Sequence, residues 1–350
     1  MTHSNCKVAP ITVARVIAYP LRVRVKQGPE SSLGPMPVRQ GCLLRLEDSD
    51  GAYGWGEIWC NFPPHAAESR AFLVQDVIAP YLQGQTFQDW RQLRAVLEEK
   101  MLRMMIHTGE SGVFSQCFAG IDMAVADLCA RRANVSMVQF LGGSGIDSVS
   151  TYASTPSSGN LESQCNEIKN AGHSAIKLKI GYEPIRDIAA IGAAREVLGS
   201  EFSIMVDANQ AWSYSQAKAQ ISALEPFQID FIEEPILASE DLSVWKRLSE
   251  YSPIALAAGE NISSQSRFED HINDHSLHIV QPDVAKWGGI SGAVSIARYA
   301  NAHDVQCYLH FMGTGLGLAA SLHVLSVIGG DGVNTPSLIH HTHRIYNVNL

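Results

Sequence analysis

No Cys-x-x-Cys pair occurs anywhere in this 350-residue chain. The seven cysteines, Cys6, Cys42, Cys60, Cys117, Cys129, Cys165 and Cys307, are odd in number and widely scattered. That excludes a disulfide framework and a zinc knuckle; the cysteines read as reduced thiols, most of them small core hydrophobes. Basic residues are also scarce, 26 Lys and Arg against 35 Asp and Glu, for a net charge of −9. Counterion release from a nucleic acid needs clustered Lys and Arg, so no nucleic-acid partner is expected. The first ten residues lack the basic start and apolar core of a secretion signal. No apolar run reads as long as the roughly 18 residues of a bilayer span. The expectation is a cytoplasmic protein without a membrane partner. What remains is ordinary globular composition, 46% hydrophobic and 17% charged, which rules out disorder, collagen and coiled coil. The length suits two domains, or a large barrel with an appendage.

The pattern along the chain changes partway. Residues 11–25 and 38–47 alternate and are rich in β-branched side chains, 48–51 form a turn, and 53–58 follow as a short strand. Residues 66–82, 87–105 and 114–133 read as helices; the last is so apolar and Ala-rich that it must be buried. After a Gly-rich break at 141–145, short β-branched runs (148–154, 175–180, 203–207, 230–233, 254–258, 277–283, 305–310) alternate with amphipathic stretches (161–171, 184–198, 215–224, 240–250, 265–274, 290–303). That repetition predicts a parallel α/β sheet. We divide the chain into an α+β domain, 1–130, and a barrel domain, 131–350.

One polar residue recurs near the carboxyl end of each predicted strand: Ser154, Lys179, Asp207, Glu233, Glu260, Asp283 and His310, at steps of 23 to 28 residues. Such a series suits a TIM-type barrel, whose chemistry sits on that face. A doubly wound sheet concentrates its site at one switch point instead. Lys177 and Lys179 are two apart on one strand and share a face. Two enclosed ammonium groups repel, so at least one pKa is expected to fall, giving a neutral base. Asp207, Glu233 and Glu260 end three successive strands, and hard oxygen ligands from separate strands suit Mg²⁺. Any one of them alone would read as a helix cap; three in register opposite two lysines do not. Asn209 can reach the same pocket, whereas Glu234 points away if its strand continues. Asp283 and His310, on neighbouring strands, form a dyad that serves as a general acid and base.

Taken together these pieces resemble the enolase superfamily, in its mandelate racemase-like subgroup. The resemblance rests on Lys177-Leu178-Lys179, Asp207-Ala208-Asn209, Glu233-Glu234-Pro235, Gly259-Glu260, Gln281-Pro282-Asp283 with Gly288-Gly289, and His310 with Gly313-Thr314-Gly315. Gly54-Trp55-Gly56-Glu57, Ile121-Asp122 and Ala126-Asp127-Leu128 match upstream. It implies a modified (β/α)7β TIM-type barrel with an N-terminal α+β capping domain. It also implies Mg²⁺ on Asp207, Glu233 and Glu260, with Lys179 or His310 as the base that removes a proton α to a carboxylate. A Lys or His base with Mg²⁺ is the arrangement known for enolase-superfamily sites. The stretch from His310 to Ala320 looks most like sugar-acid dehydratases and cycloisomerases.

Acid-sugar dehydration is therefore the leading expectation, with Lys177 stabilising charge and binding substrate alongside Asn209 and Ser154. A racemase or epimerase is the alternative, a binding-only relative a second, and an unrelated TIM-barrel aldolase or hydrolase a third. The last would leave the lysine pair and the Asp–His dyad unexplained. Loops at 27–40 and 59–65 read as substrate lids; Lys286 and Trp287 stay between a structural and a site role. A small carboxylate is the expected ligand and a homo-oligomer the expected assembly. The C-terminal end is atypically short, and residues 331–350 depart from the family pattern. His340, His341 and His343 there read as a mobile tail rather than a metal site.

Overall fold

Two glycines set the architecture of the N-terminal half. A Cβ on Gly54 would stand 2.2 Å from the Ala124 carbonyl oxygen, and one on Gly56 only 1.9 Å from that of Gly120. The strand Tyr53–Ile58 therefore lies flush on the backbone of the helix Ser111–Ala133. Tyr53–Ile58, Val38–Asp48, Ile11–Arg24 and Thr86–Phe87 follow one another in an antiparallel sheet. Gly56→Ala meets backbone rather than a yielding side chain. It is expected to cost about 3 kcal/mol of stability, read as a lower urea midpoint.

The computed structural model describes residues 9–25, 30–31, 34–143, 149–154, 160–328 and 338–342. In its second half an eight-stranded parallel sheet runs Gln306–Cys307, Ile279–Val280, Ala255–Ala258, Phe231–Glu233, Ser203–Asp207, Ala175–Lys179, Ser150–Ser154, Leu338–Thr342. Helices Leu161–Asn170, Pro184–Leu198, Tyr214–Leu224, Leu242–Tyr251, Gln265–Asn273 and Gly289–Ala302 connect the strands. This is the TIM-type barrel expected from the βα repetition, with the capping domain that the family resemblance implies. The proposed division at 130/131 lies near the C-terminal end of the helix Ser111–Ala133.

Two expectations need correction. The tail was read as mobile, yet Leu338–Thr342, which includes His340 and His341, pairs in parallel with Ser150–Ser154 as the eighth strand. A parallel strand is selected by a partner far away in sequence, here about 190 residues upstream, so local composition hides it. His343 and residues 331–337 lie outside the described residues, as do 27–29 and 32–33 of the first lid. The second concerns apolar runs: the helix Ser111–Ala133 is long and apolar enough to cross a membrane by length and composition. It is instead the core helix of the capping domain, 89% buried in its most apolar window.

The two halves are joined by buried acids. Asp122, inside the helix Ser111–Ala133, accepts from the backbone N–H of Ser291 (2.9 Å) and from its hydroxyl (2.5 Å), at the start of Gly289–Ala302. Burial drives its pKa up to about 6 despite the Ser291 hydrogen bonds and Arg94. The folded state thus holds this proton more tightly than the unfolded chain. The stabilisation it gives is complete below pH 4 and is lost as pH rises through 6. Relative to Asp122→Asn, the wild type is expected to lose up to about 3 kcal/mol between those values, seen in melting curves across pH.

Candidate active site

An apolar floor defines the inside of the barrel. Tyr152, Ala175, Met205, Phe231, Ala257, Ile279 and Tyr308 pack as one cluster, one residue from each of seven successive strand positions. Side chains alternate along a strand, so the residue two steps further toward the carboxyl end also faces inward. Those residues are Ser154, Lys177 and then Lys179, Asp207, Glu233, Gln281 and then Asp283, and His310. The site is the second storey of the barrel core. Glu260 breaks the parity, and Gly259 explains how: a Cβ there would lie 2.4 Å from the Gln281 nitrogen, so only glycine lets the chain turn against the next strand.

The lysines and acids interleave. Lys177, fully buried, donates to Glu233 Oε2 at 2.5 Å and stands 3.4 Å from Asp207 Oδ2, with the Tyr152 ring 5.6 Å away. Lys179 donates to the same Asp207 oxygen and to Asn209 Oδ1 at 2.9 Å. The expected fall in a lysine pKa through mutual repulsion does not occur at Lys177. Burial presses its ammonium toward neutrality, but Glu233 and Asp207 outweigh burial and hold the pKa above the usual lysine value. Asp207 stands between the amines. Burial pushes its pKa up, and Lys179 and Lys177 together bring it below the ordinary carboxylate value.

On the far side, His310 Nδ1 lies 2.7 Å from Asp283 Oδ2. A carboxylate only accepts, so Nδ1 carries the proton and Nε2 is the nitrogen left to exchange one. Nε2 is 3.4 Å from Glu260 Oε2, the oxygen that accepts from Lys286 at 3.0 Å. Burial alone would raise the Glu260 pKa; His310 and Lys286 hold it well below the normal range. Asp283 is fixed by the backbone N–H groups of Ala285 and Lys286. Ser154 ends its strand buried, in register with Lys177.

Two site residues escaped the sequence reading. Glu234 was expected to point outward, but its strand ends at Glu233, and a positive φ of 43° swings the fully buried side chain to Asn261 Nδ2. Burial, then Glu260 and Asp207, lift its pKa far above normal. Lys286, left undecided, spans Glu260, Asn261 and the ring face of Trp59 from the capping domain. Neither could be found by alternation, since both follow irregular backbone.

The three acids occupy adjacent strand ends but do not surround one point; among the described residues no three His, Cys, Asp or Glu side chains are so gathered. Each buried carboxylate turns instead to a nearby cation, which offsets its desolvation. The donor set nevertheless fits a hard cation: all three are carboxylates, and Glu233 Oε1 is buried without a hydrogen-bond partner.

The chain matches two family models: "Mandelate racemase / muconate lactonizing enzyme, N-terminal domain" over residues 21–142, and "Enolase C-terminal domain-like" over 160–349. It is 30% identical over 302 residues to a D-galactarolactone cycloisomerase from Agrobacterium fabrum, covering 84% of this chain and 77% of that one. A D-galactonate dehydratase from Xanthomonas campestris is 31% identical over 297 residues, 81% and 74% of the two chains. Among solved structures, a mandelate racemase/muconate lactonizing enzyme from Bordetella bronchiseptica superposes with a TM-score of 0.88 at 40% identity, covering 95% of this chain and 88% of that one. A racemase from Streptomyces coelicolor with bound magnesium gives 0.83 at 26% identity, covering 94% and 89%.

Proposed function

Because the chain belongs to the mandelate racemase/muconate lactonizing enzyme family of the enolase superfamily, we propose that it is a Mg²⁺-dependent enzyme that removes the proton α to a substrate carboxylate, and in particular an acid-sugar dehydratase. The observation that supports this most is a pair of proton carriers facing one floor from opposite sides. Lys179 beside Asp207 and His310 beside Asp283 are separated by four intervening strands.

Asp207, Glu233 and Glu260 would hold the cation, which when bound supplies positive charge against the enediolate that proton loss creates. The remaining work belongs to the chain. Lys177, kept cationic by Glu233 and Asp207, adds a fixed charge beside the substrate carboxylate in a dry pocket. Lys177, Asn209 and Ser154 orient that carboxylate. Lys179 takes or returns a proton at Nζ on one face, and His310 does so at Nε2 on the other. In dehydration one carrier removes the α-proton and His310 protonates the leaving β-hydroxyl. The relative named D-galactonate dehydratase favours this outcome.

A racemase or epimerase is the second reading, favoured by the same two-sided pair, since a proton removed from one face and returned to the other inverts the centre. The substrate is a small carboxylate, with neither nucleic acid nor membrane as partner, and the assembly a homo-oligomer in the cytoplasm. Proton NMR in D₂O with Mg²⁺, over a panel of acid sugars and α-hydroxy acids, tests the reading. Loss of water to a keto acid marks dehydration; deuterium at the α-carbon with inversion marks racemisation. Failure of the whole panel to exchange overturns it.

A further inference from the structure

Glu57 plays no part in the chemistry above, yet it is 1% exposed and completely engaged. It belongs to the capping sheet, and every hydrogen bond its carboxylate is seen to accept comes from the barrel. Its Oε1 accepts from the Thr314 backbone N–H at 2.6 Å. Its Oε2 accepts from the Thr314 hydroxyl at 2.5 Å and the Gly317 N–H at 2.7 Å. All three are donors, so the cradle suits an acceptor-only carboxylate. The barrel is shaped around it: a Cβ on Gly313 or Gly317 would lie 2.3 or 2.8 Å from a Glu57 oxygen. Four residues on from Glu57, Asn61 Nδ2 donates to the Met312 carbonyl at 2.6 Å.

These contacts grip residues 312–317, a segment that starts two positions after His310. Lys179, by contrast, is held from inside the barrel by Asp207 and Asn209. We infer that Glu57, assisted by Asn61, is a positioning residue for His310: the capping domain fixes the loop that carries the imidazole, and so controls one of the two proton carriers without controlling the other. The catalytic half of this rests on the two-carrier reading proposed above; the structural half does not.

The experiment uses the full chain with ¹⁵N-labelled histidine, as wild type, Glu57→Gln and Asn61→Ala. Ring-nitrogen correlations of His310, assigned with His310→Asn, report its hydrogen bond to Asp283 directly. They are expected to shift or broaden in both variants. Exchange in D₂O is then followed for both enantiomers of mandelate and of galactonate; the hand lost in His310→Asn defines the His310 face. Exchange on that face is expected to fall about 100-fold, as a displaced reactive group commonly costs, with the Lys179 face little changed. Equal losses on both faces, or unaltered His310 resonances in folded variants, overturn the assignment. Should Glu57→Gln not fold, Asn61→Ala, which loses a single hydrogen bond, decides by the same two criteria. A wild type that exchanges neither acid removes the functional reading, and the resonances still decide whether the cap positions His310.

Discussion

His310→Asn is expected to lose α-proton exchange from one hand of substrate by about 1000-fold, within the range that general acid–base groups contribute. The other hand should exchange almost normally. Lys179→Ala should give the mirror result. Asparagine can still donate to Asp283 but cannot carry a proton, so the variant isolates proton transfer from the architecture of the dyad. The geometry makes the two effects separable. His310 is held by Asp283 at 2.7 Å, whereas Lys179 is held by Asp207 and Asn209, with four strands between. Deuterium incorporation resolved by enantiomer is the measurement. A variant that depresses both hands equally would mean that a single base serves both faces.

The second large effect concerns Glu233. Glu233→Gln leaves the fully buried Lys177 with Asp207, at 3.4 Å, as its nearest remaining acid. Breaking a buried pair from one side costs about 3–5 kcal/mol, because a charge stays in a poor solvent without its counterpart. Chemical denaturation should show that loss. Mg²⁺ affinity by calorimetry should fall by more than the roughly 10–100-fold typical of residues that merely support a metal ligand. The double variant Glu233→Gln with Lys177→Met separates the two roles. Removing both charges is expected to recover most of the stability, while Mg²⁺ binding stays weak. Recovery of metal binding along with stability would show that Glu233 serves the fold and not the ion.

Much of the architecture was readable because β-branched runs, amphipathic stretches and glycine breaks agree on one βα period. The strand Ser203–Asp207 and the helix Pro184–Leu198 have the predicted bounds. The inward residues were readable for the same reason, since alternation along a strand is geometric. What escaped depends on partners distant in sequence or on irregular backbone. Leu338–Thr342 becomes a strand because Ser150–Ser154 offers it an edge. The helix Gly315–Ile328 went unrecognised as a helix: the acid at its N-terminus is Glu57, supplied by the other domain. Glu234 was misplaced because alternation fails where φ turns positive. Lys177 was misjudged because repulsion was reckoned between the two amines alone, while Glu233 and Asp207 stand against its ammonium.

The engagement of Glu57 by Thr314 and Gly317 spans 257 and 260 residues of sequence. On a ribosome, the N-terminal sheet would therefore emerge long before the donors that satisfy its interior acid have been translated. Until they arrive, that carboxylate must stay wet, and the sheet cannot seal over it without burying an unmet charge. The early half of the nascent chain is thus bound to wait for the late half. Completion of folding then becomes a single joint event, once Gly317 has been translated, rather than two successive ones.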